Sequence, residues 1–214
     1  MRVCKRWKLT GFAVGVVHNS GGLLTKVKWE NLAFPTPICI VGSLVKGRIN
    51  YATYGSFGLL SPRPKIYVYI GSQGPRYTNV GIEENGYFSV NMPSSEQAQK
   101  TDYVGLVSGR NTDKSAVFES FFGSVDKAPM IEECPVNMLC KVIQTAELPD
   151  RHIYFGEVLE TYVDEECVAD DALDFTKIDP LLYTVSKAGD SSYRRLGKVV
   201  GTAFKDGRTL IKSR

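Results

Sequence analysis

The stretch from Asp102 to Lys114, DYVGLVSGRNTDK, gathers Ser108, Gly109, Arg110, Asp113 and Lys114 into one short polar turn after an apolar run. Gly109 predicts a bend with positive φ, Ser108 offers a hydroxyl and a backbone N–H, and Arg110 and Lys114 bring positive charge suited to a phosphate. Such a turn can receive an anion, or it can be a solvated connector between two strands. A second grouping of the same kind is RYTNVGIEENG, which begins with Arg76 and Thr78. At a helix start, unpaired N–H groups and a positive dipole would join the charged fork of Arg76 and the hydroxyl of Thr78 in attracting a phosphate. Thr78 would alternatively be the helix cap.

The elements that must position these groups read mostly as short strands. Ile38 to Val45 is an apolar strand, Lys46 to Arg48 a turn around Gly47, and Ile49 opens a second strand that ends near Gly55, which together make a β-hairpin. Lys65 to Ile70 and the run from Gly86 to Pro93 are two further β-prone segments. Between them RYTNVGIEENG predicts one short amphipathic helix, with Val80 and Ile82 turned inward and Gly86 ending it. EECPVNMLCKVIQTAEL and HIYFGEVLETYVDEE predict two long strands paired antiparallel across Pro149 and Asp150. LGKVVGTAFKDGR near the C-terminus reads as a short amphipathic helix. This strand count suits a closed sheet better than a helical or doubly wound design, and no GxGxxG follows a strand.

Composition narrows the function. The 214 residues can bury one sizeable core, and Lys+Arg of 26 against Asp+Glu of 23 gives only +3, which is not the basic excess of a nucleic-acid protein. Two histidines are too few for a histidine-based metal site, and no apolar run approaches the roughly 18 residues of a membrane span. Cys4, Cys39, Cys134, Cys140 and Cys167 show no paired CxxC spacing, so a zinc ribbon, an iron–sulfur cluster and a secreted disulfide scaffold are disfavoured. Reduced thiols in the cytoplasm are the expectation, with Cys134 and Cys140 as small buried hydrophobes on one extended segment. Residues 1–25 have a basic start and the apolar centre GFAVGVV but no Ala-x-Ala-like cleavage site. They read as a loose extension or a misplaced start, ahead of one domain over 26–208 and a tail at 209–214.

Three blocks together, the SGRNTDK turn, APMIEECPVNMLCKV and DRHIYFGEV, resemble the flavin reductase-like family of FMN-binding proteins, in its flavoredoxin-type branch. The resemblance covers roughly Lys26 to Gly207. It implies a mainly β fold, an FMN-binding split β-barrel with a few short helices, working as a homodimer with FMN at the subunit interface. It also implies cofactor contacts along Asn50, Ala52, Thr53, Tyr54, Gly55 and Ser56; a tryptophan is common in place of Ser56, so either Phe57 takes over the aromatic contact or the ring is covered less completely. Arg76 and Thr78 would meet the phosphate, with Ser108 beside them. Lys114 would neutralise the phosphate or the reduced ring near N1. His152, flanked by Asp150 and by Gly156, Glu157 and Val158, matches a family histidine at the flavin edge or facing substrate, and is the one candidate for a catalytic group. Tyr193, with Tyr183, matches a region whose aromatic residue packs by the flavin. The implied function is an oxidoreductase that passes electrons or hydride through bound FMN, with NAD(P)H or a small redox protein as donor. A non-catalytic FMN-binding or scaffold dimer of the same fold is the alternative.

Overall fold

Alternation of side chains along short strands turns here into one curled sheet. The computed structural model describes residues 16–19, 22–25, 34–74, 76–187 and 189–211. The N-terminal extension expected over 1–25 lies outside the described residues, apart from a small hairpin of β1 (Val16–Asn19) and β2 (Gly22–Thr25). After the short β3 (Thr36–Pro37), strands β4 (Cys39–Val45) and β5 (Arg48–Tyr54) make the expected hairpin, turned at Lys46 and Gly47 with φ of 53° and 74°. Two successive positive φ values give a turn whose twist matches that of the strands it joins. β6 (Phe57–Ser61), β7 (Tyr67–Gln73), helix α1 (Tyr77–Asn85) and β8 (Tyr87–Met92) follow, and α1 ends at Gly86 with φ of 73° as its sequence predicts.

Helix α2 (Ala98–Leu106) has no counterpart in the elements expected from the sequence, which include only an apolar run ahead of the polar turn. A capping box of Ser94 and Gln97 closes the 3-10 turn Ser95–Gln97 that leads into it, so a Ser-x-x-Gln signal stands just behind Pro93. Short β9 (Ser120–Phe121) and β10 (Met130–Ile131) pair with each other. The two long strands, β11 (Val136–Leu148) and β12 (Arg151–Val163), pair antiparallel across Pro149 and Asp150 as expected. A small hairpin of β13 (Val168–Ala169) and β14 (Ala172–Leu173) leads to the single turn of α3 (Phe175–Ile178). β15 (Leu182–Lys187) and β16 (Asp190–Arg194) complete a three-stranded sheet with β3. The helix expected at the C-terminus is not formed; residues 195–202 are irregular and exposed, and only Asp206–Leu210 makes a 3-10 turn. Gly197, Gly201 and Gly207 interrupt that segment too often for a helix to pay back its nucleation.

The main sheet has seven strands in the order β5-β4-β8-β11-β12-β7-β6. It curls around a core of Cys39, Val41, Tyr54, Ile70, Phe88 and Tyr154, with Ile82 of α1 plugging it. Full closure does not occur, which corrects the expectation of a closed sheet. β5 and β6 remain the two edges, and the chain crosses between them at Gly55 and Ser56, where the Gly71 N–H donates to the Ser56 carbonyl at 2.7 Å. The fold is a split β-barrel. α1 is not amphipathic in the expected sense: its buried residues are Thr78, Asn79, Gly81 and Ile82, and Val80 is only half-buried. The described cysteines are free and buried, and burial pushes their thiols up from the ordinary range. Cys134 and Cys140 enter different apolar clusters, so they do not form a pair on one face.

Candidate functional site

Three elements converge on the free edge of β5. α2 lies on the outer face of the strand, where the Thr53 hydroxyl donates to the Thr101 carbonyl. The loop after α2 returns to the strand through Lys114, and α1 points its N-terminus at the same place. Between them opens a cleft of about 520 Å³, lined by Ala52, Gln73, Gly74, Arg76, Tyr77, Thr78, Val104 to Gly109, Lys114 and Asp150.

An edge strand has carbonyls with no ladder partner, and here two cations cover them. The Lys114 ammonium, 3% exposed, donates to the carbonyls of Tyr51 and Val104, both at 2.8 Å. Two of its three donors are thereby used. Burial, with a smaller contribution from nearby Arg76, pulls Lys114 down from the ordinary lysine range to about 8. Arg76 donates through Nη1 to the Thr53 carbonyl at 3.2 Å and lies over the Tyr54 ring at 5.5 Å.

Asn50 joins the strand to the helix. Its Nδ2 donates to Thr78 Oγ1 at 2.9 Å, while its buried Oδ1 has no hydrogen-bond partner among the described residues. Thr78 is therefore not the cap; that place belongs to Arg76. Gly109 lies against Asn50, and a Cβ at Gly109 would stand 2.0 Å from Oδ1. The glycine is required by this close approach, and not by the positive φ expected of it, since its φ lies outside the left-handed region. The Ser108 carbonyl accepts from the N–H groups of Asn111 and Thr112, both at 3.0 Å, so the expected polar turn is closed, but it follows a helix instead of joining two strands. Arg110 stacks on Tyr77 at 5.4 Å.

Of the residues singled out in the sequence, Ala52, Arg76, Thr78, Ser108, Gly109, Lys114 and Asp150 meet in the cleft. Asn50 lines an adjoining recess of about 230 Å³ together with Gly109 and Arg110. Alternation along β5 sends Thr53 under α2 and Tyr54 into the barrel, where its hydroxyl donates to Ser72 Oγ at 3.2 Å. Gly55 and Ser56 sit at the split, Ser56 exposed and Phe57 packed against the barrel core. His152 and Tyr193 are not among the cleft's lining residues. His152 Nδ1 stands 3.4 Å from Glu83 Oε1 near the far end of α1, and Tyr193 donates to Asp102 at 2.9 Å beside Tyr183. The wall contributed by Gly105, Leu106 and Val107 escaped the sequence reading because α2 did.

A family model described as a flavin reductase like domain matches residues 32–191, most of the chain. The chain belongs to this family. A flavoredoxin from Methanosarcina acetivorans is 39% identical with a TM-score of 0.82, covering 87% of this chain and 98% of that one. The flavoredoxin of Desulfovibrio vulgaris (Miyazaki F) is 30% identical with a TM-score of 0.74, covering 82% and 94%. An uncharacterized protein of Archaeoglobus fulgidus is 31% identical over 86 residues, 39% of this chain and 49% of that protein, so the chain spans about half the length of that curated relative. No helix among the described residues is long and apolar enough to cross a membrane.

Proposed function

We propose that the cleft holds one FMN per subunit and that the chain is a cytoplasmic FMN-dependent oxidoreductase acting as a homodimer. Lys114 carries the reading. A buried ammonium with an unused donor is costly unless an acceptor or an anion meets it, and the cleft it lines is open to such a group. The rest of the donor set fits a flavin mononucleotide. α1 supplies the N–H groups of a helix start, and Arg76, Thr78 and Ser108 surround the same space with a guanidinium and two hydroxyls suited to a phosphate.

When bound, the flavin supplies hydride or single-electron transfer, and the protein supplies position and electrostatics. Arg76 and Lys114 hold negative charge at the edge of β5. The Asn50–Thr78 hydrogen bond fixes the distance from that edge to α1. Membership of the flavin reductase like family supports NAD(P)H as donor, whereas the flavoredoxin neighbours support a small redox protein. Leu106, 77% exposed at the cleft, supports a second subunit as cover for this apolar wall.

Titration calorimetry with FMN, FAD and riboflavin tests the cofactor. FMN is expected to bind one per subunit and riboflavin far more weakly, because each charge-assisted hydrogen bond to a phosphate contributes about 1.5–3 kcal/mol. Equal affinity for riboflavin and FMN removes the phosphate assignment, and a protein that takes up no flavin removes the function. Stopped-flow mixing of the FMN-loaded protein with NADH, NADPH and reduced ferredoxin then identifies the donor.

A further inference from the structure

The last described stretch, residues 194–211, carries Arg194, Arg195, Lys198, Lys205 and Arg208 against the one carboxylate of Asp206. Its apolar side chains stand in solvent: Val199, Val200, Phe204 and Leu210 are 92%, 100%, 93% and 84% exposed. The base of this arm is anchored by Arg195, whose Nε lies 3.1 Å from the Asp179 carboxylate and 2.6 Å from Ser95 Oγ. Beside the base stands the β13–β14 hairpin, of opposite character. Asp164, Glu165, Glu166, Asp170, Asp171 and Asp174 crowd residues 164–175 with no lysine or arginine among them, and Val168, Leu173 and Phe175 are exposed there. A groove of about 520 Å³ lies between the hairpin, at Leu173 and Phe175, and the arm's base, at Leu196 and Val199.

We propose that the arm of one subunit docks on the acidic, apolar hairpin of a second copy of this chain, reciprocally, so that the two arms clasp the dimer. The proposal rests on the homodimer reading above. Exposed apolar side chains in this number on one arm call for a cover, and an acidic surface with apolar residues between its charges complements a basic arm of the same composition. Each copy carries both halves of the contact, so a two-fold exchange satisfies both and leaves no arm over. The charges set register and encounter, while the apolar side chains supply the burial.

Two variants with one added cysteine each, Val200→Cys and Leu173→Cys, are mixed under mild oxidation, with the wild-type chain as control for its own five thiols. A covalent dimer in the mixture, absent from either variant alone and from wild type, is expected. Light scattering on the same samples separates the two readings. A dimer that yields no such cross-link overturns the clasp alone, whereas a monomer overturns the homodimer reading and the clasp with it. Internal cross-linking of the Val200→Cys/Leu173→Cys double variant without a covalent dimer also overturns it, since the arm then folds on its own hairpin. As a charge test, Glu165→Lys with Glu166→Lys should weaken dimerisation about tenfold, and added Lys198→Glu with Arg208→Glu in the same chain should restore it. An unchanged dissociation constant in the first of these variants overturns the electrostatic half of the contact.

Discussion

The two ends of α1 differ in how far their polar groups are satisfied. Near its N-terminus, Asn50 Oδ1 is buried without a partner among the described residues, and Lys114 spends two donors on backbone carbonyls. Toward the other end the polar groups consume one another. Tyr154 donates to Glu83 at 2.6 Å, and His152 stands beside the same carboxylate. Folded proteins pair nearly all buried polar groups, so a donor left over on a buried ammonium beside a cleft can still be met by an occupant, whereas groups that pair with one another serve the fold. The same helix thus lines the cleft with one end and braces the barrel with the other.

That contrast is broken most sharply at Lys114. Lys114→Met keeps most of the stem volume and removes the charge, and FMN affinity is expected to fall ten- to a hundredfold, about the worth of a charge-assisted hydrogen bond. The reduction potential of the bound flavin should fall as well, because negative charge on the reduced ring loses its partner. Arg110→Met, in the adjoining recess and stacked on Tyr77, is the control and should leave affinity nearly unchanged. Calorimetry on both variants decides the matter, with circular dichroism to verify the fold. An unchanged affinity in the Lys114 variant would leave Lys114 as a cover for the β5 edge carbonyls with no part in binding.

The pH dependence sharpens the same point. Burial holds Lys114 at about 8 in the folded chain against 10.5 ordinarily, so its charged form is penalised by folding. The penalty on stability is therefore present below about pH 8 and is relieved as pH rises from there toward 10.5. An anionic occupant favours the protonated ammonium, so its binding takes up protons near and above pH 8. FMN affinity should be flat below that pH and then decline by up to about tenfold per unit. Titrations from pH 6.5 to 9.5 should show this bend in wild type and lose it in Lys114→Met. A bend that survives in the variant assigns the proton elsewhere.

At the satisfied end the expected effects are on stability alone. Tyr154→Phe removes a hydroxyl held by Glu83, whose hydrogen bond, after burial, raises the tyrosine's pKa. The cost should be about 1 kcal/mol in denaturant unfolding, with FMN affinity unchanged. A large loss of affinity in this variant would mean that the two ends of α1 are coupled and that the contrast between them is false.

The strands were legible because their burial alternates or runs continuously, as in Cys39–Val45 and in the paired Val136–Leu148 and Arg151–Val163. α1 was legible at Gly86 but not on its buried face, since Thr78 and Asn79 go inward to meet Asn50 and Ser72 and not to fill an apolar core. α2 was not legible, because its inward residues, Thr101 and Val104, are too few to print a helical period. The missing half of the cleft wall follows from that omission. The cationic half was readable in Arg76 and Lys114 from residue type alone, whereas the edge carbonyls they cover are main-chain groups with no mark in the sequence.

His152 tests the contrast from its weakest side. Its ring lies outside the cleft, with Glu83 Oε1 3.4 Å away and both side chains partly exposed, at 34% and 52%. An exposed pair of this kind contributes less than about 1 kcal/mol, so His152→Gln should barely change stability, and FMN affinity should stay within about twofold of wild type. The family motif that places this histidine beside Gly156 and Glu157 nevertheless supports a substrate-facing role, which predicts slower donor oxidation in the variant at unchanged FMN binding. Steady-state rates with each donor, measured beside the calorimetric affinity, separate three outcomes. Slower turnover alone keeps His152 as a substrate-facing group, weaker FMN binding moves it to the flavin edge, and no change in either leaves it with Tyr154 and Glu83 as part of the barrel's own polar closure.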